Sequence, residues 1–241
     1  MLTVLSVEAR KLNRSLAALL AVAAPSLIAI FQFFNVMRGK APMPWEMWMA
    51  GSGAIWAFFM LPMSVTALTA LVAHMEHGPK SWDHLRALPL ARWKIYAAKA
   101  ICVLTVVAAM SVAVLVFSWV AVRLAVALRP ELEPTGTPDL VRHAGTLGLM
   151  LCAALLMVAI QLWTALRYSS FVPGLVVGIG GTFFAVVATS AKAGVFLPWQ
   201  MPVNMLSSEP WRVTTALGLG GGVGLLALIA LTLHLSRREV L

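Results

Sequence analysis

Six long apolar runs divide this chain of 241 residues, and they constrain its fold more than any other feature. Each run is long enough to cross the hydrocarbon core of a bilayer as a helix, which takes roughly 20 residues. The apolar residues follow one another without strand-like alternation, so we expect helices and not a barrel. The sequence therefore predicts an all-α integral membrane protein with one transmembrane domain over residues 1–241, whose spans cover about 16–36, 47–73, 95–128, 144–166, 172–189 and 213–235.

The composition excludes a water-soluble domain. Only 11% of the residues are charged, whereas a soluble domain carries roughly 25%. No polar block is large enough for a nucleotide-binding fold, and no GxxxxGK[ST] loop occurs. The net charge of +9 is typical of basic cytoplasmic loops and does not indicate nucleic-acid binding.

The distribution of charge predicts the orientation. Six spans place both termini on one side, which then holds eleven Lys and Arg against four acids, while the other side holds seven against five. The positive-inside rule therefore places both termini in the cytoplasm of a multi-pass protein of the plasma (bacterial inner) membrane.

Two amphipathic segments lie outside the predicted spans. Residues 3–14 form a short interfacial helix, with Val4, Val7, Lys11 and Leu12 on one side and Glu8, Arg10 and Arg14 on the other. Residues 191–212 are semi-apolar but interrupted by three prolines, so we interpret them as an outward re-entrant or interfacial element.

Glycines cluster in the last two predicted spans, and their spacing lets helices approach closely. Two readings stay open: packing inside one subunit, or a contact between two copies. The pairs four residues apart are Gly174/Gly178, Gly218/Gly222 and Gly220/Gly224.

Catalytic groups are missing from the middle of the predicted spans. No Asp, Glu or Lys lies there, whereas intramembrane enzymes and ion-coupled carriers need such groups at depth. We therefore expect no catalytic residues and no enzyme activity in this chain. If it moves a molecule uphill, the energy has to come from elsewhere.

The polar segment from His74 to Ala100 stands between two apolar runs. One hypothesis is a metal-dependent membrane enzyme at the cytoplasmic face, with His74, Glu76, His77 and His84 as ligands. The spacing disfavours it, because zinc-protease histidines lie four apart on a helix, whereas His74 and His77 lie three apart and Gly78-Pro79 follows. We therefore expect no metal site.

A short helix between Pro79 and Pro89 is the alternative interpretation of this segment. Trp82, Leu85 and Leu88 recur on one face, and two helical turns cannot bury that face alone. The face predicts docking, either on the membrane surface or in a groove of a partner. A non-transporting anchor or sensor of a partner complex also fits this pattern.

The same segment resembles a known family. It is similar to the signature of type-2 permeases of ATP-binding-cassette (ABC) exporters. The residues that carry the similarity are Glu76-His77-Gly78, Lys80-Ser81-Trp82, Leu88-Pro89-Leu90, Arg92-Trp93-Lys94-Ile95-Tyr96 and Lys99. Two other stretches resemble further elements of that family: Glu8 with Lys11-Leu12-Asn13-Arg14-Ser15, and Pro198-Trp199-Gln200-Met201-Pro202. Within the family, the chain most resembles the lantibiotic-immunity and bacitracin-export branch.

The resemblance implies roles for particular residues. The segment between spans two and three would be the coupling helix that seats on a separate ATPase, through Glu76, Gly78, Lys80, Trp82, Asp83, Leu85, Arg86 and Leu88. The N-terminal interfacial helix would also touch the ATPase, through Glu8, Lys11 and Arg14. Spans two and five would line the translocation path, with Phe58, Phe59, Met60, Met63, Phe183 and Phe184.

The resemblance also implies partners and cargo. Two permease chains, identical or homologous, would work with two cytosolic ATPases, so ATP and Mg would bind the partner and this chain would hold no cofactor. Met and Phe adapt to irregular apolar shapes. An amphipathic peptide, such as a lantibiotic-like antibiotic, or another hydrophobic molecule is therefore the expected cargo, with antibiotic immunity as the outcome.

Overall fold

The fold is described from a computed structural model, which covers residues 1–13, 15–78, 82 and 89–237. Within these residues the secondary structure is helical apart from one isolated bridge between Pro44 and Thr135. The helices are α1 (Leu2–Asn13), α2 (Leu16–Met37), α3 (Trp45–His77), α4 (Arg92–Leu128), α5 (Leu140–Ala153), α6 (Leu155–Arg167), α7 (Val172–Val187) and α8 (Pro210–Arg237).

The long helices confirm an all-helical membrane architecture. Five of them are long and apolar enough to cross a bilayer, and α5 with α6 makes a sixth span if the pair is taken together. The ends agree with the sequence prediction within about one turn. The fourth span differs, because its two helices meet at Ala154 with a bend of 46° instead of forming one rod.

A π turn in α3 explains how a proline is accommodated inside a span. Pro62 has no N–H for the carbonyl of Phe58, and its ring would crowd that carbonyl in an α-helix. The π turn Trp56–Met60 widens the helix at this level, with the Leu61 N–H bonded to Trp56 O. The helix therefore continues through the proline to His77.

Close backbone packing joins α8 to the bend of the fourth span. A Cβ on Gly220 would collide with the carbonyl of Ala153, and one on Gly224 would collide with the backbone at Leu156. Gly218 and Gly222 have nothing near their Cβ positions. Of the two interpretations of the glycine pairs, packing inside the subunit therefore applies to Gly220/Gly224. Among the described residues, nothing lies within 4 Å of the Cβ positions of Gly218 and Gly222, so both interpretations stay open for that pair.

A buried amide links three spans. Gln161 of α6 is fully buried. Its amide is best satisfied when it donates to Gly174 O (3.2 Å) and accepts from Thr66 Oγ1 (3.2 Å) and from Gly178 N–H (2.9 Å). Gly178 allows this approach, because a Cβ there would collide with Thr66 and Gln161. Neutral hydrogen bonds therefore hold α3, α6 and α7 together within the membrane.

The segment between α7 and α8 folds onto the bundle. It contains the short 3-10 helices Lys192–Phe196 and Val203–Leu206, and it buries Trp199, Met201 and Met205. Asn204 donates to Gln200 O at 2.9 Å. The sequence predicted an interfacial or re-entrant element here. The structure shows short turns whose apolar side chains pack against the protein, with the Trp199 ring against Gly181, and the position of this segment relative to the membrane stays a prediction.

The packing of Gly220 gives a first prediction. Gly220→Ala should lower the unfolding temperature, because overpacking costs about 1–3 kcal/mol where neighbours cannot move. Gly218→Ala is the matched control two residues away, and it should leave stability unchanged or raise it by up to about 1 kcal/mol. Thermal unfolding of both variants in detergent measures the difference. Equal unfolding temperatures for the two variants would contradict the observed packing of α8 on Ala153.

Candidate functional site

Four charged side chains meet where α1, α3 and α4 come together. The Lys99 amine donates to Glu8 Oε2 and to Glu76 Oε1, each at 2.8 Å. The Lys11 amine donates to Glu8 Oε1 at 2.8 Å and to Glu76 Oε1 at 2.7 Å. Two amines and two carboxylates give a formal charge of zero, and we call these four residues the ion cluster.

Burial makes the ion cluster energetically significant. The Lys99 side chain is 0% exposed, and those of Glu8 and Glu76 are 7% and 3% exposed. Each buried ion loses several kcal/mol of solvation, which only close partners and further hydrogen bonds offset. Because its partners come from two other helices, Lys99 requires α1 and the end of α3 to lie beside α4.

Lys11 is the most accessible member, with a side chain that is 30% exposed. Burial on its own lowers the pKa of its amine, but the hydrogen bonds to Glu76 and Glu8 outweigh this effect and raise the pKa above its usual 10.5. Because the pKa of Lys11 is raised in the folded protein, its ion pairs stabilise the fold fully at neutral pH. That contribution to stability is lost only as the pH rises through the raised pKa. Lys11 therefore keeps its charge, and its part in the ion cluster, at physiological pH.

The docking of α1 differs from the sequence prediction. The apolar face of an interfacial helix was expected to contain Val7, with Glu8 on the opposite side. The structure buries Glu8 and Leu12 and leaves Val7 exposed. Lys99 is the physical reason, since a buried amine needs a carboxylate and Glu8 supplies it across 91 residues of sequence.

Trp82 lies next to the ion cluster. Its ring stacks on Tyr96, with centroids 5.7 Å apart, and the Lys99 amine is 6.0 Å from its centroid. Its indole N–H donates to His77 Nδ1 at 3.1 Å. The sequence prediction placed this ring on a docking face, but Trp82 is only 7% exposed. The ring therefore packs against α3 and α4 with little of its own surface exposed, and its role in docking on an ATPase stays a prediction.

The other predicted coupling residues fall into two groups. Glu76 is buried in the ion cluster, and Gly78 ends α3 with its N–H bonded to His74 O at 2.9 Å. The coupling role of both residues stays a prediction. The remaining residues lie outside the part of the chain that the structure describes: Arg14, Lys80, Asp83, Leu85, Arg86 and Leu88.

The histidines near this site are not arranged as metal ligands. Within the described residues, no group of three His, Cys, Asp or Glu side chains could hold a metal ion. His84, the further ligand in the metal hypothesis, lies outside them. Glu76 bonds to two amines and His77 accepts from Trp82, so both are engaged in other contacts.

The side chains expected to line a path have mixed environments. Phe58 and Met60 pack against the core, and Met63 is half-buried. Phe59, Phe183 and Phe184 are exposed on the surface of the chain. A path between two copies therefore stays a prediction.

Sequence reasoning left Lys99 and Tyr96 out of the candidate site, although both occur in the pattern that carried the family resemblance. Lys99 was counted only as one of the basic residues that set the orientation. A signal was present, because a lysine seven residues into a long apolar helix needs an acidic partner. What the sequence does not contain is the distance between Lys99 and the two acids.

The ion cluster gives a second prediction. Lys99→Met should destabilise the protein by about 3–5 kcal/mol, because it leaves two buried carboxylates with one amine. Lys94→Met is the matched control on the same helix. Because Lys94 is only half-buried, we expect the free energy of unfolding to change by no more than about 0.5 kcal/mol. Thermal unfolding in detergent compares the two. Equal losses would show that the cluster contributes nothing specific, whereas non-additivity of Glu8→Gln and Lys99→Met would confirm their coupling.

Comparison with known proteins was made by three routes. A search of curated proteins and a search of solved structures found no match. A family model described as "ABC-2 family transporter protein" matches residues 4–189. This range includes α1, α3, α4 and hence the whole ion cluster. The chain is a multi-pass membrane protein of the permease type, and it belongs to the ABC-2 family of transporter proteins.

Proposed function

We propose that this chain is the transmembrane permease of an ATP-driven exporter, and that it works with a cytosolic ABC ATPase and a second permease chain. The observation that carries the proposal is the ion cluster beside Trp82, at the junction of the two longest helices of an ABC-2 chain. ATP hydrolysis belongs to the ATPase in this arrangement, and the permease transmits the motion.

The geometry supports transmission of force from the junction. Residues 78–91 connect α3 to α4, and Trp82 ties this segment to Tyr96 on α4 and to His77 on α3. Lys99 then ties α4 to Glu76 and to α1. A partner that displaces the segment would therefore move α1, α3 and α4 together, and would not simply bend a loop.

The proposed orientation follows from charge. The positive-inside rule places the ion cluster and both termini in the cytoplasm, where an ATPase would be available. Arg10 is exposed on α1, and Arg92 is exposed at the start of α4. These side chains supply a basic surface beside the junction that suits an acidic groove on the partner.

The cargo is proposed to be an amphipathic peptide of the lantibiotic type, which would be removed from the membrane or the cytoplasm for self-protection. Support comes from the exposed aromatic side chains of α7, including Phe183 and Phe184. Large apolar side chains that lack partners within one chain suit contact with lipid, with a second chain or with a hydrophobic cargo.

The partner proposal is tested by co-purification. The permease is expressed with the ATPase encoded beside its gene, extracted in mild detergent and purified through a tag on the permease. We expect an ATPase to co-elute, together with a second permease chain. Absence of an ATPase from the purified complex, with no ATPase gene adjacent, would refute the proposal.

A third prediction concerns coupling through Trp82. Trp82→Ala should reduce cargo-stimulated ATP hydrolysis and peptide export at least several-fold, because it removes the contacts to Tyr96 and His77. Trp82→Phe keeps a stacked ring and should retain most of the activity. Trp211→Ala, an exposed tryptophan on α8, is the matched control. ATP hydrolysis in proteoliposomes and cell survival in the presence of a lantibiotic are the two readouts.

The outcomes separate coupling from folding. Each variant is first required to reach the membrane at the wild-type level and to bind the ATPase. Full export by Trp82→Ala under those conditions would overturn the role given to this residue. Arg86→Glu tests the same segment by charge reversal, and normal export in both variants would refute coupling through residues 78–91.

A further inference from the structure

A cleft opens at the end of the bundle opposite α1. It lies between α3, α4, α5 and the turn that follows Val203–Leu206, and its volume is about 380 Å³. That size falls in the range of small-molecule sites, roughly 300–1,000 Å³. Its apolar lining includes Met49, Leu115, Leu147, Met150 and Met205. Three of these five are methionines, whose flexible thioethers adapt to irregular apolar shapes.

The rim of the cleft carries charges of both signs. Glu46 Oε2 lies 4.0 Å from Arg142 Nη1 and 3.1 Å from His143 Nε2, but the latter contact lacks the alignment of a hydrogen bond. The Arg142 side chain is 73% exposed and that of Glu46 is 45% exposed. The 4.0 Å contact between the exposed side chains of Arg142 and Glu46 contributes little, so the guanidinium and the outer face of the carboxylate are available to a ligand.

The charge pattern selects among ligand classes. An anionic headgroup would be attracted by Arg142 but repelled by Glu46, and a cationic amphipathic peptide would meet the opposite conflict. A headgroup with both charges satisfies both side chains, because a guanidinium binds phosphate in a fork geometry and a carboxylate accepts from an ammonium. Ser207 and Ser208 also line the cleft, and their hydroxyls are additional donors to phosphate.

We propose that this cleft binds one zwitterionic phospholipid, with its phosphate at Arg142, its ammonium at Glu46 and the start of an acyl chain on the methionine-rich floor. The cleft combines an apolar lining with a mixed-charge rim at the end of the membrane-spanning helices. The surrounding bilayer supplies the ligand at high local concentration. This assignment does not depend on the exporter proposal, since it rests on direct binding.

The binding test compares two lipids with identical acyl chains, phosphatidylethanolamine and phosphatidylglycerol. The whole protein in non-ionic detergent receives an equal mixture of both, and bound lipid is counted by native mass spectrometry. We expect one phosphatidylethanolamine per chain, preferred several-fold over phosphatidylglycerol. Glu46→Gln should reduce that preference several-fold. Glu131→Gln is the matched control, since Glu131 is an exposed acid paired with Arg129 outside the cleft.

A second pair of variants tests the location. Gly53 lines the cleft and has ordinary contact distance, 4.0 Å, between an added Cβ and Met150 Cε. Gly53→Leu should therefore fill the cleft and abolish the bound lipid without a backbone clash. Gly51→Leu on the same helix is the control, because nothing lies near its Cβ position and it does not line the cleft.

Three results would overturn the proposal. They are equal binding of both lipids, preference for phosphatidylglycerol, and lipid retention in Gly53→Leu with the unfolding temperature unchanged. A fourth result would reassign the cleft to a peptide and so refute the lipid assignment. In that result, a cationic amphipathic peptide displaces phosphatidylethanolamine from the wild-type protein, and the peptide no longer binds to the Glu46→Gln variant. Loss of export with intact lipid binding would contradict only the exporter proposal, so the two proposals fail separately.

Discussion

The fully buried amine of Lys99 is the constraint on which the rest of the structure depends. An ammonium without solvent is tolerated only beside carboxylates, and Glu8 and Glu76 each approach it at 2.8 Å. A helix as short as α1, with 12 residues, is marginal on its own in water. Its position is therefore set by Lys99 and by the packing of Leu12. The same pairing holds the end of α3 against the start of α4, so one buried cation organises three elements that are distant in sequence.

The two halves of the bundle are held together by different contacts. In the first half, α2 packs along α4, which is a continuous helix of 37 residues, and the ion cluster ties the neighbouring helices to it. In the second half, the fourth span bends by 46° at Ala154, and the π turn Leu217–Val223 of α8 packs against that bend. Irregular backbone within a bilayer is tolerated where protein covers it, and the close approach of Gly220 supplies that cover. Motion transmitted through α4 would thus meet a second half that already contains two breaks.

Much of this fold could be predicted from the sequence, and the reason is physical. Apolar runs specify spans because the bilayer requires them, so five of the predicted spans have a single long helix and the fourth has the bent pair α5 and α6. The bend at Ala154 could not be predicted, since no proline or glycine stands at it, and the close packing of Gly220 on Ala153 joins residues that are distant in sequence. In the same way, Glu8, Lys11 and Glu76 were singled out from the sequence, but their pairing with Lys99 was not, because periodicity describes one helix at a time. The burial of Trp82 was missed because an amphipathic pattern identifies an apolar face without identifying what covers it.

The placement of charge along the membrane normal limits how this protein can work. At the α1 end, Lys99 is neutralised by fixed carboxylates within the chain, whereas at the opposite end Glu46 and Arg142 are exposed and loosely paired. Between these ends, the polar side chains that join spans are neutral: Gln161 binds Thr66 and Gly178, and Gln32 donates to Trp48 O at 2.9 Å. Amides and hydroxyls stabilise helix contacts but do not titrate, so these contacts do not depend on pH. The two proposals therefore concern opposite ends of the bundle: the proposed ATPase would act beside the neutralised ion cluster, and the proposed phospholipid would bind between Glu46 and Arg142.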